Sequence, residues 1–423
     1  MSSYANNRHE QGAVIVTVAL LLLFLMGFMG IALDFGRLFI VKGELQTAMD
    51  SCALAASQEL DGQPDALVRA ANAGMTAGNM NRVDLQSATW RNRGQITEED
   101  ITFRNATYQL TTSAAAARYA QCEHSQAGVQ MWLLNAMGAF NGDRQLYPDT
   151  QSVLARAVAT RASAKTTCPV PVALKPKPGG SAPNYGFQVG EWVTLIMAQN
   201  AAAGGQIGWA NLDGSNSASQ TEAEMEGRCG TEVGDTLGTP GVQTSIADVW
   251  NYRFGIYKNT GDPSVNHPDF TGYAYTTKNW PNAFNAYDGT PGTGADPTAE
   301  NFVTKRQKFA SCADTGTRVR GANSCESITD LSLNSFQKLA APGIVPGGHR
   351  QYGSNRRIVT VPVINATSQV IDYACMLMLQ PLSIPISNVQ LEFRGNAGDP
   401  GSPCTTNGMP GGSAGPLVSV LVE

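Results

Sequence analysis

From Ala13 to Leu33 the chain carries 21 consecutive residues without a charge, AVIVTVALLLLFLMGFMGIAL, in which Thr17 is the one strongly polar side chain. A helix rises ~1.5 Å per residue, so this run covers roughly 31 Å, about the hydrocarbon thickness of a bilayer. Lipid offers no hydrogen bonds to the backbone, and a helix is the form in which a single segment satisfies its own. The competing reading is a cleaved secretory signal, for which Gly30-Ile31-Ala32 supplies a small-x-small site. Against it, the apolar stretch exceeds the ~7–15 residues of a signal core, and Arg8 is offset by Glu10. The expectation is a cytoplasmic N-terminus over 1–12 and a retained transmembrane helix over 13–33.

Flanking charge does not orient the helix. Arg8 and the α-amine face Glu10 on one side, and Asp34, Arg37, Lys42 and Glu44 lie on the other. The cysteines carry more weight. Cys52, Cys122, Cys168, Cys229, Cys312, Cys325, Cys375 and Cys404 are scattered, with no CxxC pair and no Cys/His metal spacing. An even set of this kind suits disulfides in an oxidising compartment; buried free thiols are the alternative. The bulk of the chain is therefore expected outside the cytoplasm, in an oxidising compartment beyond a membrane crossed once. Expected pairings are Cys312–Cys325 as a local loop, Cys375–Cys404 tying a strand to the C-terminal loop, Cys168–Cys229 and Cys52–Cys122. Closing the short loop contributes roughly 2–4 kcal/mol.

Beyond the apolar run, Leu38, Val41, Leu45, Ala48, Cys52 and Ala55 recur at helical spacing, with Arg37, Lys42, Glu44, Gln46 and Asp50 mostly on other faces. This predicts a stalk helix over 34–60, ended by Asp61-Gly62-Gln63-Pro64. Gly36 and Gly43 each weaken a helix by about 1 kcal/mol relative to Ala and mark a flexible joint, or a break into two helices near Gly36. The small residues at the far end, Cys52, Ala53, Ala55 and Ala56, let another backbone approach, so the next domain is expected to pack there. The near end is expected to stay exposed, with Leu38, Val41, Leu45 and Ala48 as a partner-helix contact.

Residues 61–165 read as a small α+β domain: a helix at 65–79, strands at 100–103 and 107–112, helical spacing over 130–140, and an ambiguous 153–164. Residues 166–423 read as a β-rich external domain. Short apolar runs at 192–197, 206–211, 357–365, 370–379, 389–394 and 417–422 predict strands of a sandwich or barrel, with a loop-rich insertion near 256–300. The fold class is α+β. Charged residues are 15% of the chain with a net charge of −5 and no basic patch, which argues against nucleic-acid binding.

Several catalytic patterns are better read as turns. Gly411-Gly412-Ser413-Ala414-Gly415 matches GxSxG, but no His follows it, as the hydrolase order requires. Asp213-Gly-Ser-Asn-Ser217 matches DxSxS in a turn-rich setting. His9, His124, His267 and His349 lie far apart. Asn105-Ala-Thr107 and Asn365-Ala-Thr367 match sequons by chance composition. The aromatics Trp250, Tyr252, Phe254, Tyr257, Tyr273, Tyr275, Trp280, Phe284 and Tyr287 form either a core shared by loops or a contact surface for a partner or glycan.

The N-terminal segment resembles the TadE/TadG-like family of the Flp (tight adherence) pilus-assembly system. The resemblance rests on Gln11-Gly12-Ala13, the apolar run, Gly30-Ile31-Ala32-Leu33-Asp34-Phe35-Gly36-Arg37-Leu38, and Lys42-Gly43-Glu44-Leu45-Gln46-Thr47-Ala48-Met49-Asp50-Ser51-Cys52-Ala53-Leu54-Ala55-Ala56. These follow a family pattern of membrane span, GxAxDxGR, spacer and LQxAxDAAALA. Cys168-Pro-Val-Pro and residues 208–214 look like the external region of longer TadG-like proteins. Pilin-like members cut by prepilin peptidase carry Glu five residues after the cleavage-site Gly; here Thr17 follows Gly12 at that spacing, which implies no cut after Gly12. The resemblance implies a structural, non-enzymatic pilus component without a cofactor, whose partners are other Tad/Flp assembly proteins and the inner membrane. The rival reading is a membrane-tethered envelope enzyme such as a glycan hydrolase, which needs two carboxylates ~5–10 Å apart in a cleft.

Overall fold

The computed structural model describes residues 10–83, 96–133, 150–165, 167–198, 202–227, 230–239, 246–312, 318–322, 324–340, 347–406 and 408–422. They form two compact units, one of residues 1–161 and 419–423, the other of residues 162–418. The sequence reading placed everything from 166 onward in one domain; the chain instead returns its last residues to the first unit.

The first unit is built on one helix. α1 runs unbroken over Glu10–Gln58, 49 residues or ~73 Å. It passes through Gly36 and Gly43 without the expected joint; Thr47 Oγ1 donates to the Gly43 carbonyl at 3.0 Å. A second helix, α2 (Ala66–Met80), packs back along its outer end. The two axes approach closely because small residues meet: a Cβ on Gly74 would stand 3.2 Å from both Cys52 Sγ and Ala56 Cβ, and one on Gly78 would collide with the Ile96 side chain. Arg69 fixes the turn between them, pairing with Glu59 and Asp61 at 2.5 and 2.6 Å and with Asp65 at 3.1 Å.

Against α1 lies a sheet in the order β1 (Ile101–Arg104), β2 (Tyr119–Gln130), β3 (Thr150–Ser163) and β12 (Leu417–Leu421). The expected strand at 107–112 is a turn, because Asn105 Oδ1 accepts from the Thr107 and Gln109 amides at 3.0 Å and curls the chain. The expected helical spacing over 130–140 begins at the end of β2, and most of it lies outside the described residues.

The second unit is centred on a closed six-stranded barrel. Its order is β10 (Val370–Met378), β11 (Val389–Asn396), β5 (Trp192–Ile196), β6 (Ile207–Trp209), β4 (Val172–Leu174), β9 (Ile358–Ile364) and back to β10. Pairs β5/β6 and β4/β9 are parallel and the rest antiparallel. Val172, Leu174, Val193, Leu195, Val361, Val363, Met376, Met378, Leu391 and Phe393 are among the buried residues of its main core. Tyr373, Cys375 and Leu377, which alternate with Ala374, Met376 and Met378 along β10, are buried in further clusters, so this strand is covered on both faces.

Candidate functional site

The feature that carries function is α1, and its residues divide by what covers them. From Val14 to Met29 every large apolar side chain is about half exposed or more, on all sides of the helix. Among the described residues no other part of the first unit covers this stretch. Among the described residues one helix, α1, is long and apolar enough to cross a membrane.

Past Gly30 the helix acquires neighbours. Leu133, just beyond β2, sits so close that a Cβ on Gly30 would stand 3.0 Å from its own Cβ. Asp34 is buried and its carboxylate accepts from the Leu133 amide at 2.8 Å. One turn on, the Arg37 guanidinium lies 4.5 Å from the centre of the Trp132 ring and donates to the Gln130 carbonyl at 3.3 Å. Two turns further, Gln46 Nε2 donates at 2.8 Å both to Asp50 Oδ1 and to the Arg156 carbonyl of β3. Asp34, Arg37 and Gln46, part of an ordered set of polar residues after the apolar run, thus fasten the helix to the end of β2 and to β3, and Asp50 holds the Gln46 amide in place.

The expectation of an exposed near-end stripe is overturned. Val41, Leu45 and Ala48 are 1%, 0% and 0% exposed, and Leu38 is half-buried. They share a core with Ile101, Cys122, Val129, Val153, Ala155 and Ala157. The reason is length: β2 is 12 residues and β3 is 14, ~40 Å or more of strand, as long as the ~37 Å of helix between Asp34 and Gln58. The sheet reaches down to the end of the apolar run instead of stopping at the far end of the stalk.

Residues 12–63 match the model of the Tad family, "Putative Flp pilus-assembly TadE/G-like". No curated protein and no solved structure matches the chain. The TadE/G-like segment spans α1 and the turn after it, and the match supports a role in pilus assembly. Its pattern residues have a structural reason in this fold: Gly30 admits Leu133, Asp34 and Arg37 hold the end of β2, and Leu45, Ala48 and Cys52 form the seam with the sheet.

The cysteines also act in each unit. Cys52 is bonded to Cys122, joining α1 to β2 with a Cα–Cα distance of 6.2 Å. Cys312 is bonded to Cys325 and Cys375 to Cys404, at Cα–Cα distances of 5.3 and 5.6 Å. Cys168 is in a disulfide, and Cys229 lies outside the described residues.

Other candidates resolve into scaffolding. Trp250, Phe254, Tyr257, Tyr273, Tyr275 and Trp280 are fully buried, so this aromatic set is core and not a contact surface; Phe284 alone of the nine is exposed, with Tyr252 and Tyr287 half-buried. Asp213 accepts from the Ser215 amide at 2.9 Å in a turn. His124 bonds to Asp100 and Gln126, and His267 to the Tyr352 carbonyl. Among the described residues no group of three His, Cys, Asp or Glu is placed to hold a metal ion. A polar cleft of about 210 Å³ contains Glu224 and Glu226. The Glu224 carboxylate accepts from the Leu212 and Asp213 amides at 2.9 and 3.0 Å, a clasp for that loop. Sequence reading missed these clasping carboxylates, since an acidic residue in a turn-rich stretch carries no periodicity.

Proposed function

We propose that this chain is a membrane-anchored structural component of a bacterial Tad/Flp pilus assembly system, with both folded units outside the cytoplasm and no catalytic role of its own. The observation that carries the reading is the coincidence of the TadE/G-like match with a single helix that is apolar and uncovered over its first half and locked into a folded unit over its second. Disulfides in both units support placement in an oxidising compartment. Because Val41, Leu45 and Ala48 are used within the chain, a partner helix in this reading meets α1 inside the bilayer, between Val14 and Met29. The first unit is then held at the membrane surface as a rigid platform for other pilus-assembly proteins. The test is an in-frame deletion in the source bacterium, with surface filaments counted by electron microscopy. The expected result is loss of filaments, restored by the full chain and not by a secreted form lacking residues 1–35. Filaments in normal number and length after deletion would overturn the proposal.

A further inference from the structure

The exposed apolar surface of α1 does not stop where the charge-free run stops. Phe35, Phe39 and Ile40 are 47%, 71% and 64% exposed. Counted from Val14 to Ile40 the band is ~40 Å long, about 10 Å more than a hydrocarbon core, so it reaches past the core into a headgroup layer. At the same level the end of β2 presents Trp132 and Leu133, 60% and 40% exposed although both lie against the helix. Between helix and strand end an open cleft of about 520 Å³ is lined by Leu33, Asp34, Arg37, Ile40, Trp132 and Leu133 among others. A Trp beside an Arg, one turn outside an apolar span, is the composition of the membrane–water interface, where an amphipathic ring and a cation both find favourable partners.

We propose that Trp132 and Leu133 enter the headgroup region of the same bilayer that α1 crosses, forming a second membrane contact that seats the first unit flush on the surface. The occupant of the cleft is phospholipid: its acyl chains start along Leu33 and Leu133, its phosphate meets Arg37, and Ile40 lies beside the headgroup. Continuity with the apolar band of α1 selects lipid over a protein partner, because the cleft opens at the depth where the bilayer surface must lie if residues 13–33 span it. The inference rests on the membrane-spanning reading of α1.

The full-length protein, reconstituted into vesicles of phosphatidylcholine and phosphatidylglycerol, tests it. Lipids brominated high on the acyl chain quench tryptophans in contact with them. The wild type is expected to show a quenched component that falls by more than half in Trp132→Phe, with the remaining tryptophans as common background. Adding Phe39→Trp to that variant is expected to restore it, since residue 39 lies in the same layer. Equal quenching in the wild type and Trp132→Phe, or no restoration by the double variant, overturns the second contact. A carbonate wash separates the two levels. Protein that stays in the vesicles with Trp132 unquenched refutes only the surface contact, whereas protein released by carbonate refutes the spanning helix and the inference with it.

Discussion

The two units solve the same problem with opposite materials. The first packs small residues: Ala48, Ala53, Ala56, Ala70, Ala120, Ala155, Ala157 and Ala159 are buried between α1, α2 and the sheet. Such a core gains little from each side chain and depends on close, regular approach of backbones. The second buries Trp250, Trp280, Tyr257, Tyr273, Phe254 and Phe302, and threads long irregular loops between them. Loops leave backbone groups without ladder partners, and here buried polar side chains supply them. Arg357, fully buried, donates to the carbonyls of Met378, Thr271 and Tyr273 at 2.8–3.0 Å and lies 4.2 Å from the Phe254 ring centre. Burial pulls its pKa down to about 10, so it remains a cation at neutral pH. Asp269 accepts from the amides of Thr271, Arg356 and Arg357. Glu392 on β11 accepts from the Ala286 and Tyr287 amides, which clasps the 256–300 insertion to the barrel. Regularity holds the unit that carries α1, and side-chain-to-backbone bonds hold the irregular one.

That contrast can be broken unit by unit. The largest effect is expected for Leu45→Asp, which puts a charge with no partner into the seam between α1 and the sheet and costs more than about 5 kcal/mol. Limited proteolysis of the full chain should then digest residues 1–161 while a fragment near 162–418 survives; loss of both together would refute independent units. Arg357→Met should act on the other unit alone. It leaves three buried carbonyls without their donor, for roughly 3–5 kcal/mol, read as a lowered unfolding midpoint of the 162–418 fragment. Replacing Cys52 and Cys122 together by Ala should cost the first unit roughly 2–4 kcal/mol, with no shift in the second unit's transition by calorimetry.

The smallest effect is a pH dependence confined to the second unit. His349 is fully buried, with Nδ1 facing the Asp269 carbonyl at 2.8 Å and Nε2 without a hydrogen-bond partner among the described residues. Burial, opposed by that carbonyl and by the Asp269 charge, lowers its pKa below 6.5. The unfolded chain therefore binds a proton that the folded unit refuses, and stability falls as pH drops below 6.5 by at most ~1.4 kcal/mol per unit. His349→Gln should flatten that slope in urea titrations between pH 6.5 and 5; an unchanged slope would assign it to another group.

Much of this was legible in the chain, for reasons that differ by element. α1 and the strands β9 and β10 announce themselves because their apolar residues are continuous or strictly periodic, and five of the six barrel strands fall within a few residues of their expected bounds, whereas the three-residue β4 is too short to announce itself. β2 is different. Its sequence, YAQCEHSQAGVQ, offers the helix only Ala120, Cys122 and Val129 as buried apolar contacts, too few and too small to show a period of two. The stripe at Leu38–Leu45 looks uncovered in the sequence for the same reason, since β2 is part of the cover that buries it. β12 was expected in the second unit because a five-residue apolar run does not say which sheet it joins. The joint at Gly36 fails because propensity is a weak term once the flanking residues are fastened by Asp34 and Arg37.

The central claim is that the TadE/G-like helix is one rigid body from the bilayer into the first unit. Hydrogen–deuterium exchange of the full-length protein in lipid nanodiscs tests it most directly, at the amides of residues 34–48. The account predicts slow exchange through Gly36 and Gly43, matched to that of β2 and lost together with it in Leu45→Asp. Fast exchange over 34–44 between two protected segments would contradict it, and would make the segment a flexible tether.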